Sequence, residues 1–197
     1  MVTVDNWRAD VSGATERYFM VFSKPLQGTT EYGENAVAFG ENTIAAGVNS
    51  YATGQESKAL GPESSATGIK TTASSYAAHS EGLSSEASGN YSHAEGAFTT
   101  ASGAYAHAEG QNSTASGFNT HAEGYDTNAT GYYTHAEGQY TTAEGTASHA
   151  EGYTTISKGD YTHAEGYNTT AETDAAHAEG NSTKATAEGA HSEGNST

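Results

Sequence analysis

Along most of this chain small residues fall on every other position, and the alternation restarts every seven residues. Counting sevens from Gly33 to Gly194 gives 24 positions, of which 21 are Gly; the exceptions are Ser75, Thr173 and Ala187. Two residues before each such position, from Ala38 to Ser192, stand 20 Ala and three Ser (Ser80, Ser157 and Ser192). Four residues before it the chain is nearly always Ser, Thr or Ala, as at Ser50, Thr99, Ser113, Thr127 and Thr141. In an extended segment the positions two and four before Gly share one face, and those one and three before share the other. The pattern predicts short strands of about five residues. Gly and the next two residues turn each corner, where Gly takes positive φ without a Cβ clash.

Seven is also the heptad number, but a coiled coil needs large apolar residues at two positions of each heptad. Here the recurring residues are Gly, Ala, Ser and Thr, and Gly every seven residues weakens any helix. A second period doubles the first. All nine His lie 14 apart, at His79, His93, His107, His121, His135, His149, His163, His177 and His191. Each is followed two residues later by Glu, from Glu81 to Glu193. The unit is 14 residues in two unequal halves, His-Ala-Glu-Gly and Thr-x-Ala-x-Gly. Two short strands per unit, repeated about twelve times, describe an all-β parallel β-roll, or β-solenoid, with 14-residue coils. Coils stacked at ~4.8 Å would build a rod about 55–60 Å long. An interior of Ala, Ser and Thr holds few methylenes, each contributing roughly 0.8 kcal/mol, so self-association is the expected remedy for a marginal rod.

Composition narrows the partners. Among 197 residues, 24 are acidic and 7 are Lys or Arg, a formal charge of −17. That balance argues against phosphate backbones and so against nucleic acid. The absence of Cys excludes disulfides and thiolate metal sites. The longest apolar run, Tyr18 to Phe22, is far short of the ~20 residues a membrane helix needs. No signal peptide is expected at the start, where acids and a Trp stand in place of a basic and then apolar stretch. Residues 1–32 differ in kind, holding Trp7, both Met and three of the seven basic residues (Arg8, Arg17 and Lys24). They read as an N-terminal cap or attachment segment ahead of a repeat domain at 33–197, with one short strand at Tyr18–Phe22 ending before Pro25.

The stretches Asn35-Ala36-Val37-Ala38-Phe39-Gly40 and Asn49-Ser50-Tyr51-Ala52-Thr53-Gly54 resemble the head repeats of YadA-like trimeric autotransporter adhesins. The resemblance covers about residues 33–197. It implies a left-handed parallel β-roll assembled as a homotrimer. The His-Ala-Glu-Gly arrays are also similar to repeat regions of phage tail fibres and appendages. A heptad stalk and a C-terminal membrane anchor are not expected from the residues present, which favours the fibre version. Some heads of the family bind extracellular matrix through Val and Ile of the motif; only Val37 keeps that chemistry, so collagen binding is not carried over.

His and the Glu two residues on share the outer face of one strand, so stacking gathers them into two columns. The columns comprise the nine His with Glu95, Glu109, Glu123, Glu137, Glu151, Glu165 and Glu179, besides Glu81 and Glu193. The other half-unit varies freely: Lys58/Leu60, Glu86/Ser88, Thr100/Ser102, Ile156/Lys158 and Lys184/Thr186. A face repeated without change, and begun by Val37, Phe39 and Tyr51, is expected against the trimer axis. Three roles stay open for it. Imidazoles can donate to Glu across subunits and set register; three converging imidazoles can hold a metal or other ion; or the face is solvated. Partial His protonation is expected to relieve the stacked carboxylates. No organic cofactor is expected.

Ten of thirteen Tyr fall just after a Gly position: Tyr76, Tyr91, Tyr105, Tyr125, Tyr132, Tyr133, Tyr140, Tyr153, Tyr161 and Tyr167, with Phe98 and Phe118 at the same sites. They are candidates either for packing between subunits and along the rod or for contact with a host-surface glycan or protein receptor. Catalysis is not expected, since nine identical His-x-Glu pairs are no single asymmetric constellation. No His-Glu-x-x-His, nucleophile elbow or phosphate loop occurs. An ice-binding face at Thr100/Ser102, Thr114/Ser116 and Asn128/Thr130 is interrupted by Lys158 and Lys184. The chain thus reads as a structural and adhesive segment of a homotrimeric fibre on a virion tail or extracellular surface. Residues 1–32 would join it to other fibre or baseplate proteins. A fragment of a bacterial cell-surface adhesin is the alternative, and an ion- or ice-binding solenoid a distant third.

Overall fold

A computed structural model describes Val21–Phe22 and residues 32–197. The described residues contain strands and turns only. After β1 (Val21–Phe22), five-residue and two-residue strands alternate without interruption. The series runs β2 (Val37–Glu41), β3 (Ile44–Ala45), β4 (Tyr51–Gln55), β5 (Lys58–Ala59), onward to β22 (His177–Asn181), β23 (Lys184–Ala185) and β24 (His191–Asn195). The long strands stack in parallel into a thirteen-stranded sheet that includes β1, and the short ones into an eleven-stranded sheet. Register between successive long strands is +14 throughout, so His93 lies over His79, Ala94 over Ser80 and Glu95 over Glu81. The fold is an all-β parallel β-solenoid of about eleven turns.

The two halves of the unit are therefore less alike than their shared Gly lattice suggests. The Thr-x-Ala-x-Gly half forms a strand of two residues, such as Thr100–Ala101, not the five expected of each half. In the His half, Gly lies inside the strand rather than beyond it. Gly96 is the fourth residue of His93–Ala97, with φ +112°, a conformation closed to L side chains. Gly103, in the other half, has no positive φ, and close approach excludes a side chain there: a Cβ would lie 1.7 Å from the carbonyl oxygen of Gly117 one coil on. The left-handed residue of each corner comes two positions after the Gly position and is seldom Gly: Asn49, Glu63, Ala77, Tyr91 and Asn112 have φ of 50–57°. Its N–H reaches back fifteen residues, as from Tyr91 to the carbonyl of Tyr76 at 2.9 Å, so a coil-to-coil hydrogen bond holds the strained corner.

The interior follows the alternation. Ala at the positions two before Gly is buried in nearly every coil, with Ser or Thr four before it. Among the described residues no fully buried side chain is larger than Thr, so the two sheets close on methyls and hydroxyls alone. Several hydroxyls hold the corners: Ser64 and Ser92 each donate to the Gly carbonyl three residues back at 2.7 Å. Others tie the sheets, as Ser85 does to the Gly96 carbonyl at 3.0 Å. At the N-terminal edge, Val21 and Phe22 pair in parallel with Ala38 and Phe39. The rest of the strand expected at Tyr18–Phe22, and of the attachment segment as far as residue 31, lies outside the described residues.

Candidate functional site

Each long strand turns its first and third residues outward, and these are His and Glu in nine successive coils from His79 to His191. The parallel register stacks them in columns. Imidazole centroids lie 4.7–4.9 Å apart, nearly parallel from His79 to His121 and again from His135 to His163. The rings tilt by 57° between His121 and His135, and by 34° and 31° in the last two steps to His191. Below the His column stand Ser65, Tyr51 and Val37, and below the Glu column Thr67, Thr53 and Phe39. Tyr51 and Phe39 are 46% and 57% exposed in the single chain.

Each imidazole turns Nε2 toward the carboxylate of its own strand. The Nε2–Oε2 distance runs from 3.3 to 3.9 Å across the nine pairs, and His135, His149 and His163 are within hydrogen-bond reach at 3.3–3.4 Å. A neutral imidazole carrying its proton on Nε2 donates to Glu in this geometry. Burial pushes the pKa of His93, His121 and His149 below the ordinary imidazole range, and the imidazoles stacked on either side push the same way. The carboxylates oppose the shift without reversing it. The partial protonation expected for the column is thus disfavoured at these three positions. The face sets one carboxylate beside one imidazole in each of these coils. It can meet a copy of itself only by sharing imidazole N–H groups among carboxylates, or by taking up protons or cations.

Metal ligation within one chain does not fit this geometry. Among the described residues no group of three or more His, Asp or Glu is gathered closely enough to hold an ion. Parallel imidazoles 4.7–4.9 Å apart are too distant to share a metal at ~2.0–2.1 Å from each nitrogen. Any ion column would need imidazoles from several chains.

The aromatic residues occupy two opposite edges of the same sheet. At the leading corner, just before the long strand, Tyr76, Tyr91, Tyr105, Phe118 and Tyr133 form a continuous ladder with centroids 5.0–5.8 Å apart. At the trailing corner, just after it, Tyr125, Tyr140, Tyr153 and Tyr167 form a second, at 5.2–5.9 Å. Tyr132 and Tyr161 belong to the leading corner and Phe98 to the trailing one. All are between 37% and 70% exposed in the single chain. The residue pattern had marked them as corner residues. Their division between two edges becomes visible only once the direction of the long strand is known. The left-handed conformation of Tyr91, Phe98, Tyr105, Tyr133, Tyr140 and Tyr161 was not signalled by residue type at all.

Stacked coils of fixed length, an interior of small side chains and one outer face repeated in register define a repeat protein built for surface rather than for a pocket. The family profile of the YadA head domain repeat matches residues 32–57, 52–74, 94–120 and 108–134. Residues 32–74 and 94–134 are thus similar to YadA head domain repeats. That family comprises structural and adhesive modules exposed at the cell surface, not enzymes. No curated protein matches the chain. Among the described residues no helix is long and apolar enough to cross a membrane.

Proposed function

We propose that this chain is a non-enzymatic segment of a homotrimeric adhesive fibre, with the His–Glu face of each protomer turned toward the three-fold axis. The observation that carries it is the contrast between the two outer faces of the solenoid. The long-strand face repeats His and Glu nine times without change, whereas the short-strand face runs through Lys58, Glu86, Thr100, Ile156 and Lys184. Solvated positions vary freely; positions held by contact do not. The exposed Tyr51 and Phe39 below the two columns favour the same covering. Across the axis, imidazole N–H groups would be shared between carboxylates of neighbouring chains, or an ion would sit among three imidazoles.

Three parallel copies leave the varied short-strand faces outward, so that each outward contact is presented three times around a rigid shaft. These copies then act together on a glycan or protein receptor at a host surface. The similarity of the His-Ala-Glu-Gly arrays to phage fibre repeats supports a phage tail or related appendage as the setting, with residues 1–32 as the segment that would join it to other fibre or baseplate proteins. The pairing of β1 on the open edge of β2 suits such a cap. The YadA match itself favours a second setting, a bacterial surface adhesin. Replacing His121 and His135 by Ala tests the axial face. Loss of trimer mass, or a lower thermal midpoint of the trimer, is expected. A trimer of unchanged mass and heat stability would place the face elsewhere.

A further inference from the structure

The two aromatic ladders have a division of labour that neither corner explains alone. A ring of three identical chains is closed by a heterologous contact, so each protomer must offer two different edges, one to each neighbour. The long sheet has such edges. Its leading corner carries the ladder from Tyr76 to Tyr133 and its trailing corner the ladder from Tyr125 to Tyr167, with the His–Glu columns between them. Resting on the trimeric assembly proposed above, we propose that the leading corner of one chain packs against the trailing corner of the next, so that both ladders form one subunit seam.

The level-by-level distribution favours a second copy of this chain as the occupant. In the coil of His107 the trailing corner holds only Gln111 and Asn112, but the leading corner supplies Tyr105. In the coil of His149 the leading corner holds Thr146 and Ala147, but the trailing corner supplies Tyr153. Each corner alone has gaps. Together they place at least one aromatic in every coil from His79 to His163, all within the span of the His column. A polymer lying along the whole span from His79 to His163 would meet a break at Thr146 and Ala147 on the leading edge and breaks at Leu83 and Gln111 on the trailing edge, whereas a seam between neighbours at equal height meets none. The left-handed slots add a second argument. Asn fits that conformation readily and fills it at Asn112, Asn119 and Asn168, yet a bulky ring is held there at Tyr91, Tyr105 and Tyr133. Covering the ring offsets the strain.

The test uses the full chain. Two Cys pairs, Ala104→Cys with Gln111→Cys and Tyr105→Cys with Asn112→Cys, place thiols on opposite corners of one coil. Within a chain they are roughly 20 Å apart across the long strand and cannot bridge. Mild oxidation is expected to link three chains through at least one pair, giving a covalent trimer on a non-reducing gel, while the single variants stay uncrosslinked. Tyr105→Asn relieves the backbone and should nonetheless lower the thermal midpoint of the trimer by several degrees. A trimer by mass in which neither pair crosslinks and Tyr105→Asn is neutral or stabilising overturns the seam and leaves the trimer standing. A monomer by mass overturns both.

Discussion

At the scale of the residue, this solenoid is decided by where a Cβ is forbidden. At Gly96 two prohibitions coincide, since φ is +112° and a Cβ would lie 2.0 Å from the Gly110 carbonyl oxygen. At Gly189 only one applies. Its φ is +64°, and nothing lies within 4 Å of the added carbon. Gly96→Ala is therefore expected to destabilise by about 3 kcal/mol or more, and Gly189→Ala by about 1 kcal/mol; chemical denaturation of the two variants separates them. Equal losses would contradict the close approach of the coils. Protonation gives a second prediction at this scale. His93, His121 and His149 titrate low in the folded chain, chiefly through burial. The unfolded chain then binds more protons, so stability is full above the ordinary imidazole range and is lost as pH falls through it. The thermal midpoint should drop between pH 7.5 and 5.5, and the double variant His121→Asn/His149→Asn should show a shallower drop. A midpoint that rises on acidification would mean that the carboxylates, not burial, dominate the column.

At the scale of the element, the same small residues serve strands of different length. The alternation of Ala and Ser or Thr with outward residues was legible along the chain, as was the gathering of His and Glu on one face, because both depend only on side-chain direction. The unequal strands were not. Gly recurs at the same interval in both halves, so nothing in the lattice says that Gly96 lies within a strand while Gly103 turns a corner. Nor does residue type mark the left-handed slot, which accepts Asn49, Lys70, Ala77 and Tyr91 alike because a coil-to-coil hydrogen bond holds it. The pairing of each His with the Glu of its own strand also needed the strand's twist and rotamers. Inside, one side-chain shape gives opposite results at two positions. The Thr127 hydroxyl is buried without a hydrogen-bond partner, so Thr127→Val should stabilise by about 1 kcal/mol. Ala122, fully buried between coils, has no room for two more methyls, and Ala122→Val should cost about 1–3 kcal/mol. Two shifts of the same sign in thermal unfolding would contradict an interior sized to Thr in one column and to Ala in the other.

At the scale of the whole molecule, the interior repeats every seven residues but the outer faces every fourteen. Deleting residues 107–120 removes one coil and joins Ala106 to His121 in register, so a shorter rod with the same association is expected. Deleting residues 107–113 keeps the small-residue interior but moves every later His to the short-strand sheet. A β spectrum should survive in that variant while self-association fails; retained association would detach it from the His–Glu face. The rod itself has few large side chains to bury, and its exposed rings, Tyr51, Phe39 and the two ladders all border one sheet. A chain of this kind is expected to gain its stability from its sisters. The most direct measurement is the mass of the protein in dilute buffer at neutral pH, by light scattering or sedimentation. The expected result is three times the 20.2 kDa of one chain, holding as concentration falls. A folded particle of single-chain mass would contradict it.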